Sequence, residues 1–170
     1  ISGGLVGSEM CIRDRLHFIL GQLYQRSNVL DSARLHYSKA LKAAAPFEIS
    51  FNARLNRAIS GGGEKLSKDL QRMLKDAKNA QYKDQIYYAL ANLELNRNDR
   101  VEAKVYLTES AFYSNGNARQ KAMAYEKLGD LSYGEKNYVS AQKYYDSCSR
   151  FIPEGHPNGC LLYTSDAADE

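Results

Sequence analysis

The side chains best able to hold a metal or act as nucleophiles are His17, His36 and His156, with Cys11, Cys148 and Cys160. A metal pair on one helix needs its two ligands three or four residues apart. No two of the histidines meet that spacing: His17 and His36 are far apart in sequence, and His156 falls beyond the last expected helix. Cys148 has neither a His nor a cation one turn away to draw off its proton, and it reads as a small buried residue. The run Gly61-Gly62-Gly63-Glu64-Lys65-Leu66-Ser67 has the residue types of a phosphate-cradling loop. Such a loop needs a preceding strand, a Gly directly before the Lys and a hydroxyl directly after it. Here Glu64 and Leu66 flank Lys65 and a helical pattern comes before, so the run reads as a flexible turn. No nucleophile, base and orienting group converge anywhere in the sequence. A catalytic site, a metal site and a cofactor are therefore not expected, and the chain is not read as an enzyme.

The most basic stretch is Lys65, Lys68, Arg72, Lys75, Lys78 and Lys83. Nucleic-acid binding calls for cations unbalanced along one face. Glu64, Asp69 and Asp76 interrupt this one, and Lys65–Asp69 and Arg72–Asp76 have the spacing of helical ion pairs. The stretch is expected to be a solvated outer face, with no nucleic acid as partner. No apolar run approaches the roughly 20 residues of a membrane span.

The elements that carry these residues read as helices. Of 170 residues, 44% are hydrophobic and only three are Pro. Plentiful Ala, Leu, Lys and Gln lose little freedom in a helix. Apolar residues at Leu16, Ile19, Leu20, Leu23 and Tyr24 recur at helical spacing and are expected to face a core. The same phrase then returns along the chain. Leu20-Gly21 and Tyr24 are followed by Ala33, Tyr37 and Ala40, then Pro46. Tyr87, Leu90 and Ala91 are followed by Ala103, Leu107 and Ala111. Tyr125, Leu128 and Gly129 are followed by Ala141, Tyr145 and Cys148, then Pro153. Three copies in order resemble the tetratricopeptide repeat, with Tyr125 where that pattern has Trp and Cys148 where it has a small residue.

The resemblance implies an all-α fold, a right-handed superhelix of about four helical hairpins, each an A and a B helix joined by a tight turn. A small residue at Gly21, Ala91 or Gly129 lets B approach A closely, and Ala33, Ala103 and Ala141 do the same from B. Tyr24, Tyr37, Tyr87, Tyr125 and Tyr145 are expected to act as planar wedges between layers. Polar breaks at Ser27-Asn28, at residues 96–99 and at residues 134–137 mark three turns. Residues 47–80 have room for one further, degenerate repeat. Phe47, Phe51, Leu55, Ala58 and Ile59 form its first stripe, and Leu66, Leu70, Met73, Leu74 and Ala77 its second. Helices are expected near residues 16–27, 30–43, 47–59, 64–78, 83–96, 100–114, 118–134 and 138–151. The repeats fall near 16–46, 47–80, 84–117 and 122–155.

In this family partners bind a groove lined by A helices. The pattern projects Phe18, Gln22, Gln25 and Arg26, then Tyr88, Asn92, Leu95 and Asn96, then Glu126, Asp130 and Tyr133 toward it. Members that clamp a peptide carboxylate carry Lys and Asn there. Asn92 matches one such place, whereas Tyr88 and Glu126 stand where Lys is needed. A mixed aromatic and polar groove suits a protein surface or partner segment instead.

The ends read differently. Residues 5–15 and 160–170 resemble translated sequencing-adapter DNA: ATG TGT ATA AGA GAC AG encodes Met10 to Asp14 and begins Arg15. Its reverse complement, read from the second base, encodes Cys160 to Thr164 and begins Ser165. Residues 1–15 and 160–170 are thus expected to be non-native tails that stay off the core, and residues 16–159 a fragment of a longer protein. Removing the tails' two arginines and five acids from 23 cations and 20 anions leaves residues 16–159 near +6. Only Cys148 then remains, which excludes a disulfide framework.

Within residues 16–159 the wording narrows further. Residues 46–56 (PFEISFNARLN), 73–79 (MLKDAKN), 82–90 (YKDQIYYAL) and 138–147 (YVSAQKYYDS) resemble tetratricopeptide lipoproteins of the Bacteroidetes gliding-motility and type IX secretion machinery, the PorW/SprE family. That resemblance implies an outer-membrane lipoprotein facing the periplasm, anchored through a cysteine upstream of this fragment. It would be a scaffold for protein partners of the secretion apparatus. A cytosolic adaptor or co-chaperone of the same fold, binding peptide segments, is the alternative, and an upstream lipobox separates the two.

Overall fold

The computed structural model describes residues 3–41, 46–61 and 64–152, and side chains from residue 12 onward. Eight α-helices and one 3-10 helix account for nearly all of them, and no strand occurs among the described residues. The chain divides into two compact units, Ile1–Lys75 and Asp76–Glu170.

The first unit holds α1 (Gly3–Arg26), α2 (Leu30–Ala40), α3 (Phe47–Ile59) and α4 (Glu64–Lys75). The α1–α2 hairpin closes where Gly21 meets Tyr37. A Cβ built on Gly21 would stand 2.6 Å from the Tyr37 ring, so only glycine permits this crossing. Tyr37 is fully buried with Ala33, Ala40 and Ala53, and Phe18 packs against them. Burying one side chain of this size contributes about 1.5–3 kcal/mol. The side of α1 turned to α2 therefore runs through Asp14, Phe18, Gly21 and Gln25. The expected apolar face is displaced from it: Leu16, Ile19 and Leu23 are 54%, 49% and 52% exposed, and Leu20 and Tyr24 are also exposed. Helical period reveals a stripe but not its direction, and here the glycine contact sets the direction. Nor does α1 begin at residue 16. It runs from Gly3, and Asp14 is only 2% exposed. The expectation that residues 1–15 stay off the core fails at Asp14.

The degenerate repeat follows its expected stripes at Phe51, Leu55, Ala58, Leu70 and Met73, all buried. Gly61 turns the chain at φ 95°, and Arg34 of α2 donates to the carbonyls of Ser60 and Gly61 at 3.3 and 3.2 Å. Gly62 and Gly63 lie outside the described residues. The expected continuation of α4 to residue 78 does not occur. Asp76 accepts a hydrogen bond from the Lys78 backbone N–H at 3.0 Å and starts a 3-10 helix, Ala77–Tyr82, that leaves Ala77 exposed. An Asp side chain bonding forward to the backbone competes with the helix it would otherwise continue.

The second unit holds that 3-10 helix, α5 (Lys83–Asn96), α6 (Arg100–Tyr113), α7 (Ala118–Gly134) and α8 (Tyr138–Ser149). Ala91, Leu107 and Leu128 form its centre, walled by Tyr88, Tyr106, Tyr125, Leu131 and Tyr144. Side-chain caps start three of the four helices: Asp99 for α6, Asn117 for α7 and Asn137 for α8. Each cap is worth about 1 kcal/mol.

The two hairpins of this unit repeat each other in detail. Tyr87 stacks with Tyr106 and Tyr113 at 6.2 and 5.4 Å; Tyr125 stacks with Tyr144 and Phe151 at 6.5 and 6.1 Å. Lys83 covers the Tyr113 ring at 5.2 Å as Lys121 covers Phe151 at 4.9 Å. Ser110 donates to the Asp84 carbonyl at 2.8 Å, and Cys148 in the matching place donates to the Ala122 carbonyl at 3.3 Å. The α1–α2 hairpin shares their turn. Asn28, Asn98 and Lys136 each have a positive φ, of 57°, 61° and 61°, two residues after their helix ends. The next N–H in each case bonds five residues back, Val29 to Tyr24, Asp99 to Glu94 and Asn137 to Ser132. A left-handed residue at this point satisfies helix-end carbonyls and reverses the chain.

Candidate functional site

On the second unit the residues expected to line a groove come together in part. Tyr88 and Asn92 stand one turn apart on α5, where the Asn92 Nδ2 donates to the Tyr88 carbonyl at 2.7 Å. Burial pushes the Tyr88 hydroxyl up to about 12; its bond with Asn92 pulls the other way, and Glu126 and Asp130 of α7 push it up further. Those two carboxylates thus face Tyr88 from the neighbouring A helix. Asp130 accepts a hydrogen bond from the Tyr145 hydroxyl of α8 at 3.0 Å. Tyr145 is also raised to about 12, first by burial, then by Asp130 and Glu126. A protonated phenol beside a carboxylate is a donor at any physiological pH.

The arrangement is a small acidic and aromatic face on a scaffold of otherwise mixed charge. Tyr88, Asn92, Glu126 and Asp130 belong to it, and Tyr145 was not anticipated there. Its signal lay in the packing role given to it: a ring pressed over Gly129 carries its hydroxyl to the α7 edge. Leu95 is half-buried and Asn96 exposed at the end of α5. Tyr133 lies on α7 near the Tyr145 hydroxyl, whose value it helps to raise. It is 61% exposed and meets Tyr138 edge-on at 5.5 Å across the α7–α8 turn.

On the first unit the four expected groove residues divide. Phe18 is turned inward, its ring 5.9 Å from Tyr37, so it serves the hairpin core rather than a groove. Gln25 accepts a hydrogen bond from the Tyr37 hydroxyl at 2.6 Å. Gln22 and Arg26 are exposed. Tyr24, expected as a wedge between layers, instead stacks on His36 at 5.3 Å.

The remaining chemistry-bearing residues resolve as follows. Cys148 is buried, and burial raises its thiol to about 11, which leaves it protonated and unreactive. The basic stretch of α4 is solvated, but its ion pairs differ from those expected. They are Glu64–Lys68 at 2.7 Å, Asp69–Arg72 at 3.3 Å and a long Arg57–Asp69 contact at 4.0 Å. Exposed pairs of this kind contribute at most about 1 kcal/mol. His17 and His36, remote in sequence, meet across α1 and α2 with their Nδ1 atoms 3.1 Å apart. Spacing along one helix could not reveal that contact. His156, Pro153 and residues 160–170 lie outside the described residues.

Among the described residues no group of three or more His, Cys, Asp or Glu is placed to hold a metal ion, and no helix is long and apolar enough to cross a membrane. No family model matches the chain and no curated protein is significantly similar to it, so its functional reading rests on its own residues.

Proposed function

We propose that residues 16–159 are a tetratricopeptide-repeat array that binds a protein partner and carries out no catalysis. The observation that carries this reading is the face formed by Tyr88, Asn92, Glu126 and Asp130. Neighbouring A helices supply it, and its groups are suited to hydrogen bonding and aromatic contact. Aromatic and amide side chains held on rigid helices anchor partners at low entropic cost. The close hairpin crossings at Gly21 and Gly129 and the three matching turns support the repeat assignment.

The partner is a component of the Bacteroidetes gliding-motility and type IX secretion apparatus, and the parent protein is an outer-membrane lipoprotein facing the periplasm. This part of the reading rests on the wording of residues 46–56, 73–79, 82–90 and 138–147. A pull-down from a Bacteroidetes envelope extract tests it, comparing the wild type with the Tyr88→Ala/Asn92→Ala variant. Capture of secretion-apparatus proteins by the wild type alone is the expected result. Capture of cytosolic chaperones instead would replace it with the adaptor reading, and equal capture by both proteins would remove the α5 face from the account.

A further inference from the structure

The three well-formed hairpins place aromatic rings at the same two positions, one on A and one on B. In the second unit these are Tyr87 with Tyr106, and Tyr125 with Tyr144, stacked at interplanar angles of 30° and 26°. Each stack is completed by a third ring, Tyr113 or Phe151. In the α1–α2 hairpin the matching positions hold His17 and His36, and the sequence has Ala43 where the third ring would stand. Two of the chain's three histidines therefore occupy the one A–B position where the other hairpins need only flat apolar rings. Packing alone is met by tyrosine, as those hairpins demonstrate. What histidine adds is a nitrogen lone pair at each position.

The geometry uses those nitrogens. The ring centroids are 5.2 Å apart and inclined at 47°, while the two Nδ1 atoms are 3.1 Å apart, so both nitrogens point into the gap between the rings. Two imidazole nitrogens, each about 2.05 Å from one ion, and separated by the observed 3.1 Å would subtend about 98° at that ion. That angle lies between the right angle of a square or octahedral site and the tetrahedral angle. Both rings are half-buried, open enough for an ion to enter. His36 is held below its ordinary value by burial, then by His17 and Lys39, which favours the neutral imidazole a metal requires. The Lys39 charge also opposes a cation there and limits the affinity.

We propose that His17 and His36, joined across α1 and α2, bind one divalent transition-metal ion of the imidazole-preferring class (Cu2+, Ni2+ or Zn2+) through their Nδ1 atoms. Without metal one Nδ1–H donates to the other Nδ1. On binding, the donor ring carries its proton on Nε2 instead, both Nδ1 lone pairs face the ion, and no net proton is released from the neutral pair. No third His, Cys, Asp or Glu joins the pair among the described residues, so water or a donor from a bound partner completes the coordination. The ion clamps A to B at this ring pair, beside Tyr24, which stacks on His36 at 5.3 Å.

Calorimetric titration of the full chain with NiCl2, CuCl2 or ZnCl2 alone tests this, in a Cys11→Ser/Cys160→Ser background that removes competing thiols. One ion per chain is expected. His17→Gln or His36→Gln should each weaken binding at least about tenfold, and His156→Gln should not change it. Lowering the pH from 7.5 to 5 should also weaken binding at least about tenfold as the imidazoles protonate. His17→Tyr/His36→Tyr rebuilds the ring pair of the other hairpins; it should keep the wild-type circular dichroism yet lose saturable binding and the metal-induced rise in Tm. Undiminished binding in that variant, dependence on His156 instead, or no saturable binding by the wild type would each overturn the proposal.

Discussion

Replacing Gly129 by alanine adds one methyl group at the tightest point of the α7–α8 crossing. Its Cβ would lie 2.4, 2.7 and 2.9 Å from three atoms of the Tyr145 ring, against 3.4 Å or more for an ordinary contact. The ring must withdraw by about 1 Å, an overpacking strain that costs roughly 1–3 kcal/mol. Withdrawal also stretches the Tyr145–Asp130 hydrogen bond, worth roughly 1.5–3 kcal/mol to a charged acceptor when fully lost. Alanine's higher helix propensity returns about 1 kcal/mol. The net expectation is a loss of roughly 1–3 kcal/mol, measured by urea denaturation followed by circular dichroism, with a Tm lowered by several degrees. The third repeat supplies the compensating change, since there Ala91 faces Leu107 in the same register. Gly129→Ala combined with Tyr145→Leu should therefore be closer to wild type than the two single losses sum to, a coupling of about 1 kcal/mol or more. A single variant as stable as wild type, or strictly additive losses, would refute the register.

Three further outcomes follow from single features. Lys136 has φ 61° where the equivalent turns hold Asn28 and Asn98, so Lys136→Asn should stabilise by about 0.5–1 kcal/mol in the same denaturation assay. Burial raises the Asp84 carboxyl above its ordinary 3.8, so its proton is held more tightly in the folded chain and its contribution to stability is lost as the pH rises through the folded value. Asp84→Asn should then gain on wild type at pH 7, with the gain shrinking as the pH falls through the folded value and gone below 3.8; urea titrations at pH 7 and below 3.8 would show it. Cys148 is buried with its thiol raised to about 11, so peptide mapping after alkylation at pH 8 should find Cys148 modified only when denaturant is present.

Much of the fold was legible because steric necessity writes itself into sequence. Gly21 and Gly129 have to be glycine where a tyrosine ring crosses them, and Asn28 and Asn98 suit a left-handed turn better than most residues. Helix α5 matched its expected bounds, and α6 ended one residue early at Tyr113. What the pattern withheld was direction and long-range pairing. The α1 stripe of Leu16, Ile19 and Leu23 had the right period but faces away from α2, because Gly21 rather than leucine content orients the helix. Phe18 was assigned to a groove and instead fills the hairpin core, for the same reason. The break after Lys75 had a local signal in Asp76, which bonds forward to Lys78, but the apolar period at Ala77 masked it. On the candidate face Tyr88, Asn92, Glu126 and Asp130 were named from the repeat pattern that the sequence resembles. Tyr145 and the His17–His36 contact were not, since each depends on a partner helix whose rotation periodicity does not give.

The central claim is that this chain works by binding a protein through the α5–α7 face. Its most direct test is a calorimetric titration of the protein captured from envelope extract with wild type, Tyr88→Ala/Asn92→Ala and the surface variant Asp130→Lys, each first checked for native circular dichroism. The account predicts saturable binding by wild type and an affinity loss of at least about tenfold, roughly 1.4 kcal/mol, in both variants. Equal affinity across all three folded proteins would contradict it.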